Sequence, residues 1–251
     1  MYKPLILRSR GATIGLALIV MIFLIAAFAP FICWFDPWDY SSTPLQRPST
    51  VHPLGTNAIG QDIFSELLYG ARTSITFGLS VSAISLLLSV LIGVYAGISG
   101  GIKESILMRI TDVAIAIPSI VVIILVAAYL QPDLFQLILI LSLLSWQYGA
   151  RTFYAQTLSL KQRGYISAAR NFGAGNEYLT VKHLIPDLYP IMLAGFIIRT
   201  RYAIFMEAGL AIIGIFDPTT KSLGLLMHMR WSLRIWAHGY GGSSRQTSCW
   251  L

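Results

Sequence analysis

The stretch RGYISAARNFGAGNEYLTVKHLIP, Arg163–Pro186, sets glycines, basic residues and a closing proline into a 251-residue chain that is 55% apolar and only 12% charged. Good helix formers surround Ala168 and Ala169. Gly173-Ala174-Gly175 then stops or bends that helix, because glycine adopts left-handed geometry and propagates a helix poorly. Asn176 is a suitable N-cap, and Glu177 is favourable in a first turn. A second short helix is expected to reach about Leu184, with Pro186 opening the next segment. The spacing predicts a compact helix–turn–helix whose basic residues keep it out of the hydrocarbon and whose small residues suit docking to a partner. A plain solvated loop would carry no such caps.

The flanking sequence fixes the setting. Charges bracket four uncharged runs, between Arg10 and Asp36, Arg72 and Lys103, Asp112 and Asp133, and Asp133 and Arg151. Each is about 17 residues or longer, enough for a helix across a hydrocarbon core roughly 30 Å thick. The runs lack the alternation of a membrane barrel, so the expected class is all-α, a polytopic helical membrane protein. Soluble domains carry about 25% charged residues, roughly twice the share here.

The net charge of +7 would suggest nucleic acid in a soluble protein, but its distribution follows topology. Lys3, Arg8 and Arg10 precede the first run, and Lys103 and Arg109 lie between the second and third. Arg151, Lys161, Arg163, Arg170 and Lys182 follow the fourth. By the positive-inside rule the N-terminus and the 163–186 stretch are cytoplasmic, and 36–71 and the turn at Asp133 face outward. Ala27-Phe28-Ala29 has the look of a signal-peptide cleavage site, but the apolar run is too long for a signal core. Cys33 and Cys249 form no metal or redox motif.

Five spans are expected, at about 11–35, 73–98, 105–130, 134–150 and 188–215. Prolines 37, 44, 48 and 53 break the chain after the first. Gln61–Tyr69 reads as a short amphipathic helix, placed either in the membrane interface or against neighbouring helices. The second span is rich in Ser and Gly, which allow close helix approach. Pro118 should kink the third. Arg109 and Asp112, three apart, are placed to pair along that helix. The fifth span carries Arg199, Arg201 and Glu207. An arginine at mid-membrane costs about 2.5–3.5 kcal/mol on insertion scales, and a leucine or phenylalanine returns only about 0.3–0.6. That helix must therefore be lined by protein or water. Arg199 and Arg201, two apart, point to different faces, and Glu207 is too far along to pair ideally with either. Their partners come from another helix, another subunit or a transported substrate. A structural ion pair is the plainer reading, and a substrate pathway the sharper one.

The 163–186 stretch resembles the cytoplasmic coupling loop of importer permeases of the ATP-binding-cassette class. The family pattern is Glu-Ala-Ala, three residues, Gly, nine residues, Ile, any, Leu-Pro. Ser167-Ala168-Ala169, Gly173 and Pro186 fall at that spacing, with Ser167 in place of the glutamate, His183 in place of Ile and Ile185 in place of Leu. His52–Ser74, HPLGTNAIGQDIFSELLYGARTS, is similar to a segment of dipeptide, oligopeptide and nickel permeases whose usual form has Asp at the place of Asn57 and Arg at that of Gln61. Arg109–Ser119 and Glu207–Gly224 match further. The resemblance covers about residues 1–228.

The resemblance implies a single permease domain over 1–251 with six spans, and Ser167, Ala168, Ala169, Gly173, Ala174 and Pro186 as the contact with the motor. It implies work beside a second homologous permease, identical or not, two ATP-binding-cassette ATPases and an extracytoplasmic binding protein, in the cell membrane of a bacterium or archaeon. Cargo would be peptides or nickel. No Gly-x4-Gly-Lys-Ser/Thr loop cradles a nucleotide, so the chain is not expected to be an enzyme, and ATP and Mg belong to the partners. His52, His183, His228 and His238 lack metal-ligand spacing, and nothing suggests nucleic acid. Residues 229–251 are atypical, the pattern of a frameshifted or truncated tail. The alternative reading is an inactive permease remnant lacking its last span.

Overall fold

A computed structural model describes residues 10–215 and 219–229. The 229–251 tail and the expected sixth span therefore fall, but for Met229, outside the described residues. Nine helices carry the described fold: α1 Arg10–Ile32, α2 Ile63–Ser99, α3 Gly101–Ala116, α4 Ser119–Leu130, α5 Leu134–Leu143, α6 Gln147–Lys161, α7 Gly164–Asn171, α8 Asn176–Leu179 and α9 Ile185–Ile212. A further helical segment covers 223–229. No named strand occurs among the described residues, only an isolated bridge between Thr56 and Asp62. The protein is all-α, with three helices long and apolar enough to cross a membrane, or four if the bent α3–α4 pair is one span.

Two compact units are present. The first holds residues 1–75, 207–214 and 218–251, and the second 76–206 and 215–217. In the first, α1 is apolar around its whole circumference and buries only Ala26 and Ala29, as expected of a helix solvated by lipid. The loop that follows is ordered by polar contacts. His52 Nδ1 lies 3.1 Å from Asp62 Oδ1 in a buried pair, and Ser42 Oγ stands 3.3 Å from His52 Nε2.

Asp62 also starts α2, its Oδ2 accepting from Ser65 N at 2.8 Å, the usual N-cap contact. The amphipathic segment expected at Gln61–Tyr69 is not a separate helix. It is the opening of α2, whose 37 residues would span roughly 55 Å at 1.5 Å per residue, well beyond the hydrocarbon thickness. Gly70 does not interrupt it. A Cβ there would lie 3.1 Å from the Ser222 carbonyl carbon, so this glycine admits a neighbouring backbone.

In the second unit, glycine again sets helix spacing. A side chain at Gly93 or Gly97 would overlap α6 at Ala150, Phe153 or Thr157, the small-xxx-small packing of membrane helices. Lys161 Nζ donates to Gly97 O at 2.7 Å, placing a cation on the C-terminal carbonyls of α2.

Two breaks interrupt this unit. At Ile117-Pro118 the chain turns by 71° between α3 and α4, since Pro118 has no N–H to donate and restricts the residue before it. The expected single span over 134–150 is instead two helices, α5 and α6, separated at 144–146. Serines explain it. Ser142 Oγ donates to Ile138 O at 2.6 Å, and Ser145 Oγ to Leu141 O at 2.7 Å. Ser89 Oγ reaches across from α2 to Trp146 O at 2.7 Å. Such side-chain bonds compete with the backbone ladder, and a uniformly apolar sequence conceals them. Asp112 pairs not with Arg109 but with Arg151 of α6.

Candidate coupling contact and translocation cavity

The expected helix–turn–helix is present and precisely capped. Gly173 has φ +88°, its N–H donates to Arg170 O at 3.0 Å, and Ala174 N donates to Ala169 O at 3.1 Å. This pair of bonds is a Schellman motif, closed by a left-handed glycine. The N-cap of α8 is Gly175 rather than Asn176. The Asn176 side chain instead accepts from Arg170 Nη2 at 3.3 Å.

Beyond α8 no solvated break leads to the next span. Residues Thr180–Leu184 form one π turn, and the helix runs on through Pro186 into α9. A π turn closes i to i+5. It therefore stacks Leu179 over Leu184, both 1% exposed, which an α-helix would leave roughly 140° apart. Leu179, Leu184 and Leu188 close a core with Val90, Val94, Phe153, Leu160 and Ile166. The coupling stretch is thus anchored to α2, α6 and α9 together.

Its outer surface is divided. Ser167, Ala168, Gly173 and Pro186 are exposed, whereas Ala169 and Ala174 pack against the core. The alanine pair therefore does not act as one surface. Ala168 faces outward, beside Phe172, which is 92% exposed. Tyr165 donates to Asp187. Burial first, and that carboxylate second, raise its phenol above the ordinary tyrosine value, so it remains a donor.

The two helix breaks meet at a cavity of about 760 Å³. Gln147, buried at the start of α6, ties them together. Its Nε2 donates to Ser119 Oγ at 3.1 Å and to Leu144 O at 2.9 Å. Arg199 and Arg201 both line this cavity, although two residues apart on one helix. Arg199 is the fifteenth residue of the 28 in α9, near mid-span. Its guanidinium donates to Gly195 O and to Ser89 Oγ, each at 3.1 Å. Gly149 packs so closely that a Cβ there would overlap the guanidinium and Ser89 Oγ. Among the described residues no carboxylate lies within 4.0 Å of Arg199 or Arg201.

Glu207 does not line this cavity. It belongs to the first unit, where it is buried and accepts from Ser74 Oγ at 2.9 Å, while Ser74 Oγ accepts from Leu223 N at 3.2 Å. The same unit holds a buried ion pair that sequence reasoning missed. Lys221 Nζ lies 2.6 Å from Glu66 Oε1 and 2.7 Å from Gln61 Oε1, and Asn57 Nδ2 donates to both Gln61 and Glu66. Gln61, which stands where the resembled segment has arginine, therefore has the Lys221 ammonium beside it. Gln147 and Gly149 were missed as well. A lone Gln in an apolar run, and a Gly two residues later, were the available signals.

Comparison with known proteins places the chain. The family described as binding-protein-dependent transport system inner membrane component matches residues 89–229. The N-terminal TM domain of oligopeptide transport permease C matches residues 6–48. The oligopeptide transport system permease protein OppC of Bacillus subtilis (strain 168) is 36% identical over 87% of this chain and 73% of its own length. The probable D,D-dipeptide transport system permease protein DdpC of Escherichia coli (strain K12) is 34% identical, over 79% and 67%. The dipeptide transport system permease protein DppC of Haemophilus influenzae is 30% identical, over 88% and 77%.

Proposed function

Because the chain belongs to the family of binding-protein-dependent transport inner membrane components, we propose that it is the membrane-spanning permease subunit of an ATP-driven peptide importer. Peptide is favoured over nickel on two grounds. The relatives named above carry oligopeptide or dipeptide transport in their names. The cavity lining holds arginines, hydroxyl-bearing residues and apolar groups, with no His, Cys, Asp or Glu among its described residues, the side chains a nickel ion would seek.

The complex would comprise this chain, a second homologous permease, two ATP-binding-cassette ATPases and an extracytoplasmic binding protein. ATP and Mg would sit on the ATPases, and the N-terminus and coupling stretch on the cytoplasmic side. The observation that carries this reading is the continuous helix from Asn176 to Ile212. It joins the exposed Ala168–Phe172–Gly173 surface to the span that bears Arg199. Closure of the ATPases against that surface would rock α9, and with it one wall of the cavity.

The test is ATP hydrolysis by the complete transporter in proteoliposomes, stimulated by peptide-loaded binding protein. Ala168→Trp is the informative variant, since the site is exposed and helical, whereas Gly173 at φ +88° would add backbone strain to any side chain. Stimulation should be lost while membrane insertion and permease pairing persist. Stimulation equal to that of the unaltered protein would remove the coupling role.

A further inference from the structure

Arg199 is held at mid-span by neutral partners alone. Ser89 and Gly195 each take one hydrogen bond, and no described carboxylate is within ion-pair reach. A guanidinium has five N–H donors in a planar fork suited to a carboxylate, so several remain unused. A cation in this position is costly unless it faces a cavity or a counter-charge. Here it faces a cavity within the volume range of small-ligand sites.

The rest of the lining favours a negative ligand. Arg201 adds a second cation, and Tyr148 and Tyr202 are among the lining residues. The α4 helix begins at Ser119 on this cavity with no side-chain cap, so its positive end adds to the field. No side chain among the described lining residues is acidic. The seat of Arg199 is also built rather than incidental. Gly149 leaves room for the guanidinium, and Ser89, which orients it, is itself held between two acceptors that share its one proton, Ser85 O on its own helix at 2.6 Å and Trp146 O at the break between α5 and α6 at 2.7 Å.

We propose that this cavity receives a free carboxylate of the cargo, with the Arg199 guanidinium as the direct contact and Ser89 and Gly149 as the groups that position it. The inference rests on the peptide-import reading and adds to it the end of the peptide that the membrane subunit reads. Charge-assisted hydrogen bonds of this type are roughly twice as strong as neutral ones.

The experiment uses the complete permease–ATPase complex in detergent, without nucleotide, and reads its melting temperature with trialanine or trialanine amide up to ten millimolar as probe; a ligand that binds the folded form raises that temperature. Trialanine should stabilise the complex and the amide should not. Arg199→Gln should abolish the shift, Arg199→Lys should keep part of it, and Gly149→Ala should weaken apparent affinity by roughly tenfold, the loss of about one charged hydrogen bond. Three results would overturn the proposal: no shift with trialanine, an equal shift with the amide, or an undiminished shift in Arg199→Gln. Peptide uptake by the reconstituted transporter is measured alongside. Uptake without a carboxylate-dependent shift removes this inference alone, while absence of uptake removes the import reading beneath it.

Discussion

Lys221 and Arg199 are both basic residues taken out of water, and they are treated in opposite ways. Lys221 is 5% exposed and sits on the Glu66 carboxylate, itself 2% exposed, with Gln61 and Asn57 filling the remaining positions. Arg199 is half-buried and, among the described residues, meets a hydroxyl and a carbonyl. The first arrangement is closed, since each charge has its opposite and the polar neighbours bridge them. The second is open, a cation held in place with hydrogen-bonding capacity left over. A closed pair holds structure together; an open cation is available to a ligand.

The contrast can be broken by substitution. The largest effect is expected at Glu66→Ala, which strands a buried ammonium. Removing one partner of a buried pair destabilises by about 3–5 kcal/mol, so thermal unfolding in detergent should show most of the folded protein lost. Replacing both partners, as Glu66→Leu with Lys221→Met, should restore much of it. An intermediate effect is expected at Gly149→Ala, where the added methyl meets the guanidinium. Overpacking of this kind costs about 1–3 kcal/mol, and the cost should shrink in an Arg199→Ala background, read by a double-mutant cycle. The smallest effect on stability is expected at Arg199→Gln, within about 1 kcal/mol, because the bonds it gives up are offset by removing an unpaired cation from mid-span. A loss as large as that of Glu66→Ala would move Arg199 into the closed class and would point to a carboxylate on another subunit.

Hydropathy made the long spans legible, because lipid demands the same apolar length whatever the fold. Pro118 and Gly173 were legible for a related reason: each dictates backbone geometry by its own covalent structure. The π turn at Thr180–Leu184 was not. Nothing in TVKHL forbids an α-helix; the turn exists because Leu179 and Leu184 must reach one core, and that core is assembled from four other helices. The break at 144–146 was hidden for a similar reason, since it depends on Ser89, more than fifty residues earlier. Arg199 and Arg201 were marked by their cost in a membrane, but only the structure joins them in one cavity and gives Glu207 its partner, Ser74. Lys221 escaped notice because it lies where the apolar pattern fails, and its meaning comes wholly from Glu66 and Gln61.

The Lys221 pair also bears on how such sequences diverge. Relative to the pattern this segment resembles, Gln61 looks like a deletion of charge, yet the ammonium of Lys221 stands 2.7 Å from its side chain. A cation from a distant place in the chain thus stands beside the position where that pattern carries its own. Two positions 160 residues apart are therefore expected to be inherited as a couple: lineages with arginine at the first should lack a base at the second, and a chimera that joins halves from the two kinds would carry either two cations there or none.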